Sequence, residues 1–231
     1  MTQLQTAHRA KFASIGSPYF GIMLALMAVV LILSNIGASK GVLIGPVVTD
    51  GGFFLFPLAY ILGDVISEVY GFAVARRAIV TTFALSVFAS LCYWVIIALP
   101  GFDDEYGLAK QAALENALGP VPLIVLASLL GFLAGQTINS WVLVRMKRRF
   151  GEPRLWARLM GSSGVGEFAD TLIFCSIAAS VIGITGFGMF ANYVLVGFVY
   201  KTLVEFLFVP VTTAVIGWVK RREPTYGTVS A

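Results

Sequence analysis

The sequence predicts an all-α integral membrane protein with six transmembrane helices, and three observations carry this prediction. Of the 231 residues, 58% are hydrophobic and only 12% are charged, and the mean hydropathy is +0.87. The apolar residues fall into six long runs, and the basic residues cluster between alternate runs. Soluble domains carry about 25% charged residues, so this composition argues against a soluble fold.

Each apolar run is long enough to cross the hydrocarbon core, which requires roughly 20 helical residues. The runs cover approximately residues 19–39, 53–73, 77–99, 119–144, 161–183 and 189–219. The predicted organisation is a cytoplasmic N-terminal tail at 1–18, a single transmembrane domain at 19–219 and a cytoplasmic C-terminal tail at 220–231.

The positions of the basic residues predict that both termini lie in the cytoplasm. Thirteen of the sixteen Lys and Arg residues lie before the first run, after the sixth, or in the connections that follow the second and fourth. Topology thus explains the net charge of +4, and no nucleic-acid partner is needed. The acidic connection at 100–118 is predicted to be an external loop, and the Gly- and Pro-rich stretch at 40–52 a re-entrant or irregular approach to the second span.

Polar residues divide the chain into two similar halves. In each half a helix with amides precedes a helix with two acids. Asn35 precedes Asp64 by 29 positions, and Asn139 precedes Asp170 by 31. Because each half contains an odd number of helices, this order favours two inverted three-helix repeats, as in many transporters. Chance similarity is the alternative.

Four of the predicted helices carry polar and aromatic residues on one face, because residues three or four positions apart share a side of a helix. The candidate site residues lie on these four faces, and one more lies at the end of the first span. They are Asn35 of the first span, with Phe56, Tyr60, Asp64, Glu68, Gln136, Asn139, Glu167, Asp170, Tyr200, Lys201 and Glu205 on the four faces. Lipid would reject such faces, whereas a cavity shared by the helices would accept them.

The charges in these spans are costly, since an ionised residue near the bilayer centre costs about 2.5–3.5 kcal/mol. Lys201 and Glu205 are spaced as an i,i+4 pair, and pairing of this kind could simply hold the bundle together. Five acids nevertheless face one lysine, which leaves four acids in excess. Unpaired acids in a low dielectric take up protons or attract a cation, so the sequence predicts a proton-linked or cation-accepting cavity.

Three stretches resemble the queuosine precursor transporter family, also called the vitamin uptake transporter family. They are FPLAYILGDVISEVYGFAVARR at 56–77, GEFADTLIF at 166–174 and YK at 200–201. The first is specific because it holds F-P, D, E-x-Y-G and R-R elements in order. The resemblance extends over nearly the whole chain.

The resemblance implies a six-helix protein of the bacterial inner membrane. It would import 7-cyano-7-deazaguanine, 7-aminomethyl-7-deazaguanine or queuine for tRNA modification. A secondary transporter is expected, with protons as candidate coupling ions and without enzymatic activity, cofactor or metal; a homodimer is left open. The resemblance makes these residues the first candidates for substrate binding, with Gln136 and Asn139 next: Asp64, Glu68, Glu167, Asp170 and Lys201.

Two other functional classes are left open. One is a substrate-binding subunit of an energy-coupling-factor vitamin importer, which would dock through small residues of its first helix. Here Ala25 and Ala28 are three apart and give no clear small-xxx-small motif. The other is a membrane-embedded enzyme, because paired carboxylates can perform acid–base chemistry. The sequence shows no nucleophile–base signature, histidine cluster or phosphate-binding loop beside these carboxylates, so transport is favoured.

Overall fold

Helices make up most of the protein. The computed structural model describes residues 10–37, 41–44, 47–50, 52, 54–119, 122–179 and 186–230. The helices in these residues are α1 (Pro18–Gly37), α2 (Phe56–Tyr70), α3 (Phe72–Ala98), α4 (Glu105–Leu118), α5 (Pro122–Phe150), α6 (Leu155–Ala178) and α7 (Phe187–Arg222). The short strands are β1 (Lys11–Phe12), β2 (Gly41–Ile44), β3 (Val47–Asp50) and β4 (Val229–Ser230).

The predicted all-α membrane class agrees with this architecture. Within the described residues, α1, α3, the 125–150 part of α5 and α7 are long and apolar enough to cross a membrane. Two other predicted runs form α2 and α6. However, the 15 residues of α2 span only about 22 Å, less than the hydrocarbon thickness of about 30 Å. α6 is not one of the four helices above, because its acids and its several Gly and Ser residues lower its hydropathy. The six-span count, the orientation and the inverted repeats therefore stay predictions.

α2 lies at the centre of the bundle. It contacts α1, α3, α5 and α7, and twelve of its fifteen residues are buried. Pro57 lies in its first turn, where the missing N–H costs nothing. The helix ends at Gly71, whose φ of +81° is a conformation that glycine adopts without strain. Because longer apolar helices surround α2, its acids are kept away from lipid.

Two connections contain more regular structure than the sequence predicted. The predicted loop at 100–118 holds α4, whose N-cap Asp104 accepts a hydrogen bond from the Gly107 amide at 2.6 Å. The stretch at 40–52, predicted to be a re-entrant or irregular approach to the second span, contains the antiparallel hairpin of β2 and β3. The β-branched residues of these strands favour extended backbone, a signal that the Gly and Pro content obscured. Residues 40, 45, 46 and 51 lie outside the described residues.

The two predicted tails pair with each other. Strands β1 and β4 are antiparallel, with Lys11 opposite Ser230. Phe12 is buried next to Gly71, and the Ala13 amide donates a hydrogen bond to the Val69 carbonyl at 2.8 Å. The paired segments thus cover the junction between α2 and α3. Residues 1–9 and 231 of these tails lie outside the described residues.

Glycines allow the backbones of α5 and α6 to approach closely. A β-carbon at Gly135 would fall 2.8 Å from the Gly166 carbonyl oxygen, 2.6 Å from the Asp170 β-carbon and 2.8 Å from the Tyr60 hydroxyl. A β-carbon at Gly166 would fall 2.7 Å from that of Asn139. Small residues at such contacts are the usual basis of tight helix packing in membranes.

We expect Gly135→Ala to destabilise the fold by about 1–3 kcal/mol, because the added methyl group overfills a contact with backbone on one side. Thermal unfolding of the purified protein in detergent would measure the loss. Gly164→Ala is the matched control, since a β-carbon at Gly164 meets nothing within 4 Å. Equal unfolding temperatures for the two variants would contradict the close approach of α5 and α6.

Candidate functional site

Four helices bring polar side chains together inside the bundle, and we call this set the inner polar cluster. Its members are Tyr60 and Asp64 of α2, Gln136 and Asn139 of α5, Glu167 and Asp170 of α6, and Lys201 and Glu205 of α7. Every member except Lys201 is less than a tenth exposed. The predicted stripes on these helices thus converge on one region.

Hydrogen bonds and close packing connect α2 to α5 within this cluster. The Asn139 amide donates to Asp64 Oδ1 at 2.7 Å. One turn further along α2, next to the cluster, the hydroxyls of Ser67 and Ser140 are hydrogen-bonded at 2.8 Å. Gln136 fits against Gly63, where a β-carbon would fall only 1.4 Å from the Gln136 amide nitrogen. The missing side chain at position 63 therefore makes room for this amide.

Lys201 is the cation of the inner polar cluster. Its ammonium group donates a hydrogen bond to Asp170, lies 3.8 Å from Glu167 Oε2, and sits 4.4 Å from the ring centre of Phe56. The predicted Lys201–Glu205 pair is wrong, because the long lysine side chain turns toward the two carboxylates of α6. Four acids thus face one lysine, and the cluster has an excess of three negative groups if all ionise.

Aromatic rings form one side of the cluster. Phe56 and Tyr60 lie with ring centres 5.2 Å apart, and Tyr60 meets Phe132 edge-on at 6.4 Å. Flat apolar surfaces therefore stand directly beside the polar groups. Such an arrangement suits a ligand that is both planar and rich in hydrogen-bonding groups.

Several buried polar atoms of the inner polar cluster have no hydrogen-bond partner among the residues that the structure describes. They are the Tyr60 hydroxyl, both amide atoms of Gln136, Asn139 Oδ1, Glu167 Oε2 and both carboxylate oxygens of Glu205. Most buried polar groups in proteins are paired, so we take these atoms as candidate contacts for a ligand or for water. The unpartnered atoms include donors as well as acceptors.

Glu68 lies one turn from Asp64 but belongs to a different set of residues. We call this set the basic-end cluster: Glu68, Lys147, Glu152, Arg158, Lys220 and Tyr226. Arg158 binds the Glu68 carboxylate through two nitrogens, at 2.5 and 3.0 Å. Lys220 approaches the same carboxylate at 2.8 Å, and Lys147 at 3.3 Å. Two acids here face three cations, so Glu68 is fully paired.

Glu152 connects this cluster to the C-terminal segment. It accepts hydrogen bonds from Tyr226 at 2.7 Å and from Lys220 at 2.5 Å. Burial alone would raise the pKa of the Glu152 carboxyl, but these two bonds and the charge of Lys147 lower the pKa to about 2. Glu152 therefore keeps its charge and its ion pairs at neutral pH.

The remaining predicted site residues lie at the edge of the inner polar cluster or beyond it. Asn35 accepts a hydrogen bond from Ser128 of α5 at 3.1 Å, and Tyr200 is half-buried beside Lys201 on α7. Sequence reasoning missed the role of Lys147, Arg158 and Lys220, which it assigned to topology alone. A buried basic residue near a helix end looks the same in sequence as a solvated one.

Comparisons with known proteins relate the chain to proteins named as transporters. A family model described as "Putative vitamin uptake transporter" matches residues 50–215. The chain is 33% identical over 129 residues to the "Probable queuosine precursor transporter" of Bacillus subtilis (strain 168), covering 55% of each chain. It is 29% identical over 130 residues to the "Queuosine precursor transporter" of Escherichia coli (strain K12), covering 56% of this chain and 55% of that one.

These matches have a limited extent. The chain spans about half the length of the curated relatives it matches. No solved structure matches it.

Proposed function

The chain belongs to the vitamin uptake transporter family, and from this premise we propose that it imports a queuosine precursor across the bacterial inner membrane. The names of the two relatives supply the substrate class. The candidate substrates are 7-cyano-7-deazaguanine, 7-aminomethyl-7-deazaguanine and queuine. We propose the inner polar cluster as the binding site, in a protein that works as a secondary transporter.

The observation that carries this proposal is the set of buried, unpartnered atoms beside aromatic rings. The amide of Gln136 offers both a donor and an acceptor, and Asn139 Oδ1 offers a further acceptor. A deazaguanine carries a carbonyl next to a ring N–H and an exocyclic amine, so its edge needs both kinds of partner. The rings of Phe56 and Tyr60 can cover its flat face.

Asp64 is the carboxylate we assign to the base. One carboxylate can accept the ring N–H and the exocyclic amine together, which gives a strong and directional contact. Asn139 holds the Asp64 side chain from α5 at 2.7 Å and so fixes its orientation. Glu68 is left out of this role because Arg158 and two lysines already occupy its carboxylate. For the aminomethyl precursor, Glu167 can meet the added cation.

We expect Asp64→Asn to lower uptake about 10- to 100-fold, since a hydrogen bond to a charged group contributes roughly 1.5–3 kcal/mol. The measurement is precursor accumulation, and queuosine content of tRNA, in a strain that cannot synthesise the precursors. Each precursor is supplied separately, which also identifies the preferred substrate. The amide keeps the size of the side chain, so membrane insertion should be unchanged.

Asp103→Asn is the control, because it makes the same chemical change at an exposed position outside the helices. It should transport like the parent protein. Normal uptake by correctly inserted Asp64→Asn protein would rule out Asp64 as the base-binding carboxylate. Failure of the parent protein to raise queuosine content with any precursor would rule out the proposed function itself.

A further inference from the structure

A small crevice lies between α2, α6 and α7, next to the inner polar cluster. Its polar lining consists of Asp64, Ser163, Glu205 and Thr212, and apolar residues including Pro57 and Phe208 close it from the sides. It has room for a ligand about the size of one water molecule. A deazapurine is far too large for it, so the crevice is distinct from the space needed by the base.

Glu205 points to an ion as the occupant of this crevice. The residue is only 8% exposed and its carboxylate lies beside the Ser163 hydroxyl, but within the described residues neither carboxylate oxygen accepts a hydrogen bond of good geometry. The nearby ammonium of Lys201 is already engaged by Asp170 and Glu167. An uncompensated carboxylate is costly at this depth, so a cation in the crevice would remove a large penalty.

The other polar groups of the crevice also suit a cation. The Thr212 hydroxyl donates its proton to the Phe208 carbonyl at 3.1 Å, so its oxygen is left with lone pairs alone. Asp64 adds a second carboxylate and Ser163 a second hydroxyl. Carboxylate and hydroxyl oxygens are ligands for hard cations. With two acids and two hydroxyl oxygens, the set fits a small monovalent cation better than a bare proton, which would need one carboxylate only.

We propose that this crevice is a sodium site and that Na⁺ bound there is coupled to substrate binding through Asp64. The inference rests on the proposed transport function for its coupling step, because Asp64 lines the crevice and also belongs to the proposed base site. Coupling between two ligands is reciprocal, so Na⁺ strengthens substrate binding and the substrate strengthens Na⁺ binding by the same factor.

Binding of ²²Na⁺ to the purified protein in lipid nanodiscs, at fixed pH and without substrate, tests the site directly. We expect saturable binding by the parent protein and at least tenfold weaker binding by Glu205→Gln, which keeps the shape of the side chain. Thr212→Val should weaken binding too, whereas Thr213→Val, the matched control at the next position, should not. If Glu205→Gln fails to fold, the Thr212 and Thr213 pair carries the test. Equal binding by Thr212→Val and Thr213→Val would overturn the site.

Proteoliposomes separate failure of this inference from failure of the transport function. We expect substrate exchange by the parent protein, and accumulation that requires an inward Na⁺ gradient and disappears when choline replaces sodium. Exchange with accumulation driven by a pH gradient in sodium-free buffer would overturn the sodium site and leave the transport function standing. Saturable ²²Na⁺ binding without exchange of any precursor would overturn the transport function and leave the site standing.

Discussion

Arg158→Met is expected to destabilise the protein by about 3 kcal/mol, the low end of the range for breaking a buried ion pair. Arg158 contributes two nitrogens to the fully buried carboxylate of Glu68, and a methionine fills a similar volume without any donor. The loss stays at the low end because Lys147 and Lys220 continue to face Glu68. The unfolding temperature in detergent should fall by several degrees.

Arg148→Met provides the control for this change. Arg148 lies in the last turn of α5, as Lys147 does, but is exposed, so its substitution should leave the unfolding temperature unchanged. If neither substitution changed the unfolding temperature, the buried ion pair between Arg158 and Glu68 would be contradicted.

Glu68 itself is expected to have a structural role. Glu68→Gln should then lower stability, while the KM for the precursor stays the same in the protein that remains folded.

Lys201→Met is the second change with a large expected effect. It leaves Asp170 and Glu167 buried and without a counter-charge, and removal of one partner from such a group costs about 3–5 kcal/mol. We expect little folded protein from the single variant. Adding Asp170→Asn removes one of the stranded charges, so the double variant should regain a large part of the lost stability.

The double-mutant cycle measures the coupling between Lys201 and Asp170 directly. A coupling energy above about 1 kcal/mol is expected for residues in contact. Lys110→Met, an exposed lysine of α4, controls for loss of a positive charge in general. No recovery in the double variant would contradict the ion pair, and in that case Lys201 would act on a partner other than Asp170.

The spacing of polar residues in the sequence could indicate which side chains lie together in the bundle, for a physical reason. Polar residues in an apolar helix are few and costly, and their 3.6-residue spacing fixes the face on which they lie. Asp64, Gln136 and Glu167 could therefore be chosen without any structure. Which acid pairs with which base depends on how helices rotate against each other and how far side chains reach. The spacing of Lys201 and Glu205 gave the wrong partner for that reason.

The position of Glu68 shows a second limit of sequence reasoning. Glu68 follows Asp64 by one turn and shares its face, so the pattern alone assigns both to one site. One helical turn is a rise of about 5 Å, and over that distance the surroundings change from amides to the cations at the helix ends. Those cations belong to α5, α6 and α7, so no pattern within α2 reveals them.

The connections were harder to predict than the spans. The sequence gives α4 a clear N-cap in Asp104, but an acidic, partly polar segment also fits a loop. The hairpin of β2 and β3 is favoured by β-branched residues, but its strands are too short to give a clear sequence pattern. In both places the choice depends on weak local preferences, whereas hydrophobic run length decides the membrane helices.

The close contact of α5 with α6 limits how the protein can change shape in the proposed transport function. Backbones that approach this closely at Gly135 and Gly166 leave little room for the two helices to slide past each other, so we expect them to move as one rigid unit. The groups on that unit, among them Gln136 and Asp170, would then keep a fixed spacing throughout a transport cycle. In the proposed function, opening toward either side of the membrane would then occur where α5 and α6 meet α2 and α7, and Asp64 and Lys201 make contacts across these boundaries.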